Sequence, residues 1–403
     1  MGKPGMDALA ERPLRGNEAA SLGTRFLVYP QPPFVPGYER PELVWLPIAP
    51  GEIAAGPASY RAYVRDPILT KQPYQAPFLP PYGGLCHSPA EPGPDGHFDH
   101  LTPGTRPFMA AHAFACVHRV LDICESYIGS AQPWFFQPYY ERLEIVPHLL
   151  WDNAQSGFGF LELGEDDFGE KPFPFALNFD VIAHEVGHLV LFGALGLPRA
   201  SGPSEDFLIY HEAAADFISL IGLLHFDTAL DRILRRTRGN LLITNELDRF
   251  AELSDEKQVR RFSNSLRVQD VGNEVHDRSK PFAGALFDTL IEIYQVILFE
   301  RGLTQIDPRD FDYIRMEMPG DELEQELRVS GRDYELRHYA VKAALADARD
   351  IVGQSLMQSW RYLNPDRFTL EDAKEAIIAA ATAGSGQRYA DRITDNFSWR
   401  GYS

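Results

Sequence analysis

The sequence is poor in several features that would each assign it to a class of protein. It has three cysteines in 403 residues, Cys86, Cys116 and Cys124, and none lies in a C-x-x-C pair, so we expect neither a disulfide framework nor a cysteine zinc site. It has no run of 18 or more apolar residues, so no membrane span is expected. Its N-terminus lacks the apolar core of a secretory signal. The default expectation is a cytoplasmic protein, although a removed signal or a non-standard export route would leave the same sequence.

Basic residues are scarce relative to acidic ones. The chain has 38 Lys and Arg against 57 Asp and Glu, a formal net charge of −19. Because binding to nucleic-acid phosphates requires an excess of Lys and Arg, no nucleic-acid partner is expected. The ordinary interpretation of such acidity is solubility, and the alternatives are basic substrates or additional cation sites. Nothing in the sequence indicates an oligomeric state.

Proline is concentrated at one end of the chain and divides it into three parts. Of 31 prolines, 20 lie at or before Pro107. Since proline fixes φ and donates no hydrogen bond, residues 1–104 are predicted to form an irregular Pro-rich extension with short strands near Phe26 and Val44. Apolar spacing predicts a mixed α/β part over residues 105–183 and a helical part over residues 184–403. The predicted elements are helices over 108–127, 179–195, 206–226, 280–301, 333–362 and 370–383, strands within 143–163, and loops over 88–104 and 164–174.

The most informative pattern is His184-Glu185-Val186-Gly187-His188, inside a strongly apolar segment. Residues four apart share one helix face, so both imidazoles can converge on one cation, and zinc binds neutral imidazole nitrogen. Glu185 lies one step round the helix, where a general base can reach a water on the metal without being a ligand. Chance would produce the pattern in on the order of a few in a hundred such chains. Burying these polar groups without a partner would be costly, which favours a zinc site.

A third ligand is expected on the next predicted helix. Glu212 follows His188 by 24 residues, and Asp216 shares its helix face. We expect Glu212 to bind the metal and Asp216 to accept a hydrogen bond from a ligand imidazole. His211 is the alternative third ligand. If Glu212 binds the metal, His211 is expected to lie beside the ligands without binding the ion.

With these residues, the chain resembles the thermolysin-like and fungalysin-like metallopeptidases, zincins whose third ligand is a glutamate. The shared pattern is H-E-x-x-H followed by E-x-x-x-D on the next helix. Weaker matches in the same order extend the resemblance over roughly residues 105–403. The resemblance implies an α+β, two-lobed zincin fold: a mixed α/β N-terminal lobe with a β-sheet, a mostly α-helical C-terminal lobe, and an active-site cleft between them. The weaker matches are 109–122, Asn153-Ala154, Val275-His276-Asp277 with 282–290, 369–381 and 396–401.

The resemblance also implies an activity and further site residues. It implies a zinc-dependent endopeptidase that acts on peptide or protein substrates with one catalytic zinc ion. Calcium is possible, although no motif supports it. His276 would stabilise the oxyanion with Asp270 as its orienting partner, and Arg249 would contact the substrate carbonyl, a role open also to Arg260 and Arg261. Asn153 with Ala154 would hold the substrate main chain, although an Asx turn explains Asn153 equally simply.

Several departures from the family pattern support alternatives. The segment after His276 lacks the usual Asn, His211 stands where Asn is frequent, and only residues 1–104 precede the matching region, which leaves no room for the usual inhibitory prodomain. These departures motivate a second hypothesis, a zinc-binding scaffold or binding protein with weak or lost peptidase activity. An aminopeptidase of the same group ranks lower because no G-x-M-E-N-like segment precedes the zinc helix.

Overall fold

The computed structural model describes residues 23–68, 70–166, 172–199, 202–242, 249–254, 257–261, 264–311, 322 and 334–402, and only the backbone of those between 249 and 261. The chain divides into two compact units. Unit 1 comprises Met1–Ala194 and Ala251–Lys257, and unit 2 comprises Leu195–Phe250 and Gln258–Ser403. The content is mixed α/β, with eight α-helices and four small sheets within the described ranges. The predicted boundaries after residues 104 and 183 stay predictions.

The strands of unit 1 form a hairpin-like pair, a four-stranded sheet and a short second pair. The four-stranded sheet has the order β3-β4-β6-β5; β4 pairs in parallel with β3 and β6, and β5 is an antiparallel edge strand. The predicted strand fragments at Phe26 and Val44 are confirmed by β1 and β2. The strands are β1 Thr24–Val28, β2 Glu42–Leu46, β3 Ala62–Val64, β4 Leu143–Val146, β5 Ala154–Gly157, β6 Phe160–Leu163, β7 Glu165–Asp166 and β8 Phe173–Pro174.

The Pro-rich region contributes more to this sheet than its composition indicates. Strand β3 lies between prolines yet pairs with β4. Glu144 of β4 and Glu162 of β6 are fully buried. Glu144 accepts hydrogen bonds from the hydroxyls of Tyr63, at 2.8 Å, and Tyr74, at 2.5 Å, and Glu162 forms an ion pair with Lys71. Because buried carboxylates require such partners, this network fixes residues 71–74 against the sheet.

Two long helices complete unit 1, namely α1 (Arg106–Ile128) and α2 (Phe179–Leu195). Thr105 caps α1 through its hydroxyl, which accepts a hydrogen bond from the amide of Phe108, and Gly129 ends the helix in a left-handed conformation. Both helices confirm the predictions for these segments. The described ends of the predicted loop over 164–174 form the strand pair β7–β8, and residues 167–171 lie outside the described residues.

Unit 2 is built mainly from helices around one central helix, α5. Helices α3, α6 and α8 pack against α5, and α6 also packs against α7. The backbone also forms strands β9, most of whose residues belong to unit 1, and β10. Sequence spacing missed α4, and the predicted helix from residue 333 is described from Tyr334 onward. The helices are α3 Glu205–Leu223, α4 Asp227–Thr237, α5 Val275–Glu300, α6 Tyr334–Ser359, α7 Leu370–Ala383 and α8 Ala390–Arg400, and the strands are β9 Arg249–Ser254 and β10 Lys257–Arg261.

Helix α5 is long and apolar enough to cross a membrane, but 89% of its most apolar window is buried inside the protein. The bent pair α3 and α4 passes the same length and composition test only when taken together. A core helix surrounded by other helices is apolar on all sides for packing reasons. The described helices therefore provide no clear membrane span.

Candidate metal centre

Helix α2 presents the His184 to His188 segment from the interior of unit 1. Asn178 precedes the helix, and its side-chain oxygen accepts a hydrogen bond from the amide of Asp180 at 3.1 Å, which satisfies a donor at the helix start. The neighbours of the segment, such as Ile182 and Val186, are fully buried. His184 is 8% exposed, while Glu185 and His188 are half-buried. The polar face of α2 is therefore narrow and largely shielded from water.

The two imidazoles of α2 face the same point. The Nε2 atoms of His184 and His188 are 3.1 Å apart, and the rings meet edge to face at an interplanar angle of 85°. Two imidazole nitrogens on one tetrahedral zinc, each about 2.0–2.1 Å from the ion, would be about 3.3 Å apart. The spacing of the two nitrogens therefore fits a shared zinc ion.

Glu185 is fixed through its backbone carbonyl and not through its side-chain carboxylate. The Ser156 hydroxyl, on the edge strand β5, donates a hydrogen bond to the Glu185 carbonyl oxygen at 2.9 Å. No hydrogen bond or ion pair of the Glu185 carboxylate is found in the described part of the chain. The backbone position is thus fixed while the carboxylate stays available for proton transfer.

Helix α3 of unit 2 carries the other predicted ligand-set residues. Ser204 caps this helix by accepting a hydrogen bond from Phe207, so the register of the helix is fixed from its first turn. The Glu212 side chain is 16% exposed. Asp216 is 2% exposed and His211 3% exposed, and the His211 ring lies tilted by 38° against that of Phe207 at a centroid distance of 4.4 Å.

His184, His188 and Glu212 form a group that could hold a metal ion. One ligand atom from each residue lies within 4.8 Å of the other two. Two imidazole nitrogens and one carboxylate oxygen are a donor set that suits zinc and leaves a fourth position for water. In the described residues, no second cluster of three His, Cys, Asp or Glu side chains meets the same distance criterion.

His276 lies in the first turn of α5 and bridges two glutamates of unit 2. Its Nε2 atom is 3.2 Å from Oε2 of Glu212, and its Nδ1 atom is 2.6 Å from Oε1 of Glu274. Glu274 is also the N-cap of α5, since it accepts a hydrogen bond from the amide of Asp277 at 3.1 Å. The hydrogen bond with His276 lowers the pKa of Glu274. Glu274 thus fixes the ring of an otherwise exposed histidine.

Sequence reasoning gave Glu274 no role and named Asp270 as the partner of His276. Asp270 is exposed, and its carboxylate instead accepts a hydrogen bond from the Arg267 amide at 2.9 Å. The signal that could have identified Glu274 is its place directly before α5, where an acidic residue caps a helix and faces its first turn.

The predicted substrate-binding residues lie at the edge strand and in the backbone-only segment. Asn153 is exposed, and its side-chain oxygen accepts a hydrogen bond from the amide of Ala154 at 2.9 Å. Ala154 is the first residue of β5 and pairs with Leu163. Arg249 is the first residue of β9, and its side chain lies outside the described residues, as do those of the alternatives Arg260 and Arg261. This bond to the next amide is not that of an Asx turn, which reaches two residues on, and the role of Asn153 toward a substrate stays a prediction.

Comparisons with known proteins give little beyond this geometry. No family model matches the chain, and no curated protein matches it. Among solved structures, the chain is similar to the precursor of protealysin, a metalloproteinase from Serratia proteamaculans, at 13% sequence identity and a TM-score of 0.44, over 85% of this chain and 87% of that chain. A likeness at this level assigns neither a fold nor an activity, so the functional argument depends on the residues of the centre itself.

Proposed function

We propose that the protein is a zinc-dependent endopeptidase of the glutamate-zincin type, with His184, His188 and Glu212 as the zinc ligands. The observation that carries the proposal is the group of three ligand atoms within 4.8 Å of one another. Structural zinc sites use four protein ligands, whereas a catalytic site uses three and keeps one position open. The three-ligand set therefore favours hydrolysis over a purely structural role. The two-lobed zincin fold with a cleft is part of the same proposal.

Glu185 is proposed to carry out the proton transfers of the reaction. Bound zinc would supply Lewis-acid activation of the attacking water and of the substrate carbonyl. Glu185 accepts the proton of that water and passes it to the leaving amine, so one carboxylate acts first as a base and then as an acid. The absence of competing ion pairs at this carboxylate in the described structure supports that role.

His276 is proposed to stabilise the negative charge that develops on the substrate carbonyl oxygen. Its Nε2–H would donate a hydrogen bond to the carbonyl oxygen as that oxygen becomes negative. The 2.6 Å contact of its Nδ1 atom with the Glu274 carboxylate supports a fixed ring orientation. Because that carboxylate accepts the Nδ1–H, donation from Nε2–H requires the ring to carry both protons. Asp216 is proposed to orient a ligand imidazole, and Asn153, Ala154 and Arg249 to contact the peptide main chain.

Metal content together with peptide cleavage tests the proposal. Mass spectrometry of the purified chain should find zinc near unit stoichiometry, and the wild type should cleave internal bonds of N-acetylated peptides. Glu185→Gln should keep the zinc and lose cleavage by roughly 10²–10⁴-fold. The absence of near-stoichiometric zinc would refute the central claim.

One contact favours the second candidate, a zinc-binding scaffold without peptidase activity. His276 Nε2 lies 3.2 Å from Glu212 Oε2, so the group that would bind the oxyanion is engaged by a proposed ligand. This candidate predicts stoichiometric zinc in both proteins and no cleavage by either the wild type or Glu185→Gln. The same pair of measurements therefore separates the two functions.

A further inference from the structure

Unit 2 contains a small cavity far along α5 from the candidate metal centre. It lies where the end of α4, the C-terminal half of α5, residues 303–306 and the start of α6 meet. About 20 Å³ is open to the centre of a water-sized sphere. A single water occupies roughly 10–15 Å³. The cavity therefore accommodates at least one guest of atomic size.

Two buried side-chain amide nitrogens line this cavity without hydrogen-bond partners. They are the side-chain nitrogens of Asn240, which is 3% exposed, and Gln295, which is 1% exposed. The Asn240 oxygen accepts a hydrogen bond from the amide of Leu242 at 3.0 Å, and this bond decides which end of the amide is the nitrogen. Leaving such donors unmatched costs roughly 1–3 kcal/mol each, so a bound acceptor would stabilise the protein.

The remaining polar lining also consists mainly of donors and positive charge. Arg238 and Arg337 lie at the cavity wall. The Thr304 oxygen accepts a hydrogen bond from the amide of Ile306 at 3.2 Å, and its own proton is available to donate. No carboxylate occurs among the lining residues that the structure describes. The described lining therefore offers several hydrogen-bond donors and no carboxylate, within a chain of net charge −19.

Two backbone acceptors at the wall are already used. The Gly239 carbonyl accepts a hydrogen bond from the Tyr294 hydroxyl at 2.7 Å, and the Leu303 carbonyl accepts one from Arg337 at 3.4 Å. A water molecule brings two protons that need acceptors, whereas an anion brings none. The donor surplus therefore favours an anion over water.

We propose that this cavity is a binding site for a monoatomic anion, chloride in ordinary solution. Chloride accepts hydrogen bonds from several donors at once and matches the volume. The anion would connect Asn240 after α4 with Gln295 on α5.

The site is separate from the proposed zinc chemistry. Gln295 lies 19 residues after His276 on the same helix (295 − 276), which is about 28 Å along the helix axis. Chloride should therefore stabilise the packing of unit 2 and leave the chemical step unaffected. The proposal holds whether or not the protein is a peptidase.

Thermal unfolding of the full chain in sodium chloride and in sodium gluconate of equal ionic strength tests the site. Because a ligand that binds only the folded state raises its stability, the unfolding midpoint should be about 2–4 °C higher in chloride, and the difference should saturate. Gln295→Glu places a carboxylate in the cavity and should abolish the difference. Gln387→Glu, which makes the same change at an exposed position, should preserve it.

Bromide provides a direct readout that needs no variant. Crystals of the wild type soaked in sodium bromide should show an anomalous peak between the side-chain nitrogens of Asn240 and Gln295. Equal midpoints in chloride and gluconate, or crystals without anomalous density in the cavity, would mean that the cavity holds water only and would overturn the proposal.

Discussion

Helices α1 and α2 of unit 1 each carry two buried or half-buried histidines, and the two pairs differ in what surrounds the ring nitrogens. In α1, the amide of Tyr29 donates a hydrogen bond to Nε2 of His112 at 3.0 Å, and Nδ1 of His112 lies 2.7 Å from the Ala176 carbonyl. Nε2 of His118 lies 3.0 Å from the Ser59 hydroxyl. In α2, the Nε2 atoms face each other instead, at 3.1 Å.

The difference teaches how a structural histidine is distinguished from a metal ligand. The α1 residues are six apart, so they point to different neighbours, and each ring satisfies a polar group of another segment. The α2 residues are four apart, so they share a face and direct both nitrogens to one point. Burial alone does not identify a metal ligand: His112 and His184 are both buried, and His112, which is not a proposed ligand, is the more deeply buried of the two.

The largest expected effect is loss of metal from the α2 pair. His188→Ala removes a proposed ligand, so zinc affinity should fall by more than the roughly 10–100-fold typical of an outer-shell change, and cleavage should fall to background. Metal content and cleavage of N-acetylated peptides measure both. His87→Ala, which changes a half-exposed histidine of the same unit, should keep the zinc; equal zinc in all three proteins would remove the contrast between the pairs.

The α1 pair should instead respond in stability. His112→Ala leaves the Tyr29 amide and the Ala176 carbonyl without their partner and creates a cavity, so the free energy of unfolding should fall by about 2–4 kcal/mol. Zinc per folded molecule should not change. Urea denaturation with metal analysis of the folded fraction checks this, and a variant that keeps its stability but loses zinc would show that His112 had been assigned to the wrong class.

The α1 pair should also make stability depend on pH. Burial lowers the pKa of His112 to about 4 and that of His118 to about 3, whereas an unfolded imidazole titrates near 6.5. Below pH 6.5 the unfolded chain therefore binds protons that the folded chain does not. Stability is full above that pH and falls as the pH falls toward 4, by about 1.4 kcal/mol per unit for each group.

Denaturation in EDTA between about pH 7.5 and pH 5 measures this slope. His118→Gln should reduce it relative to wild type, since one fewer group takes up a proton on unfolding. Equal slopes in the two proteins would mean that His118 titrates alike in both states.

The smallest expected effect concerns His276, which belongs to neither pair because it is exposed. Glu274→Gln weakens the contact that orients its ring, so kcat should fall roughly tenfold, with KM nearly unchanged and zinc content unaltered. Asp270→Asn serves as the matched control and should have no effect. If the two variants exchange these outcomes, the partner expected from the sequence is the functional one.

The sequence predicted the long helices and the first strands well, because their apolar spacing is a local property. It missed α4, whose apolar positions fall within a charged segment, and β3, which prolines surround. Strand β3 is only three residues long and depends on pairing with β4, about 80 residues away in the chain. Propensity cannot predict such a pairing, because the partner strand supplies the stabilising contacts.

The candidate site divides in the same way. The convergence of His184 and His188 follows from helix periodicity once the segment is helical, so the sequence by itself determined it. The engagement of His276 by Glu212 and Glu274 depends on where α5 begins and on the packing of α3 against α5. The cavity in unit 2 is lined by Asn240 and Gln295, which are 55 residues apart in the chain (295 − 240). Only the tertiary structure decided these contacts, because they depend on how separate elements pack, whereas residue spacing along one helix is fixed by its backbone hydrogen bonds.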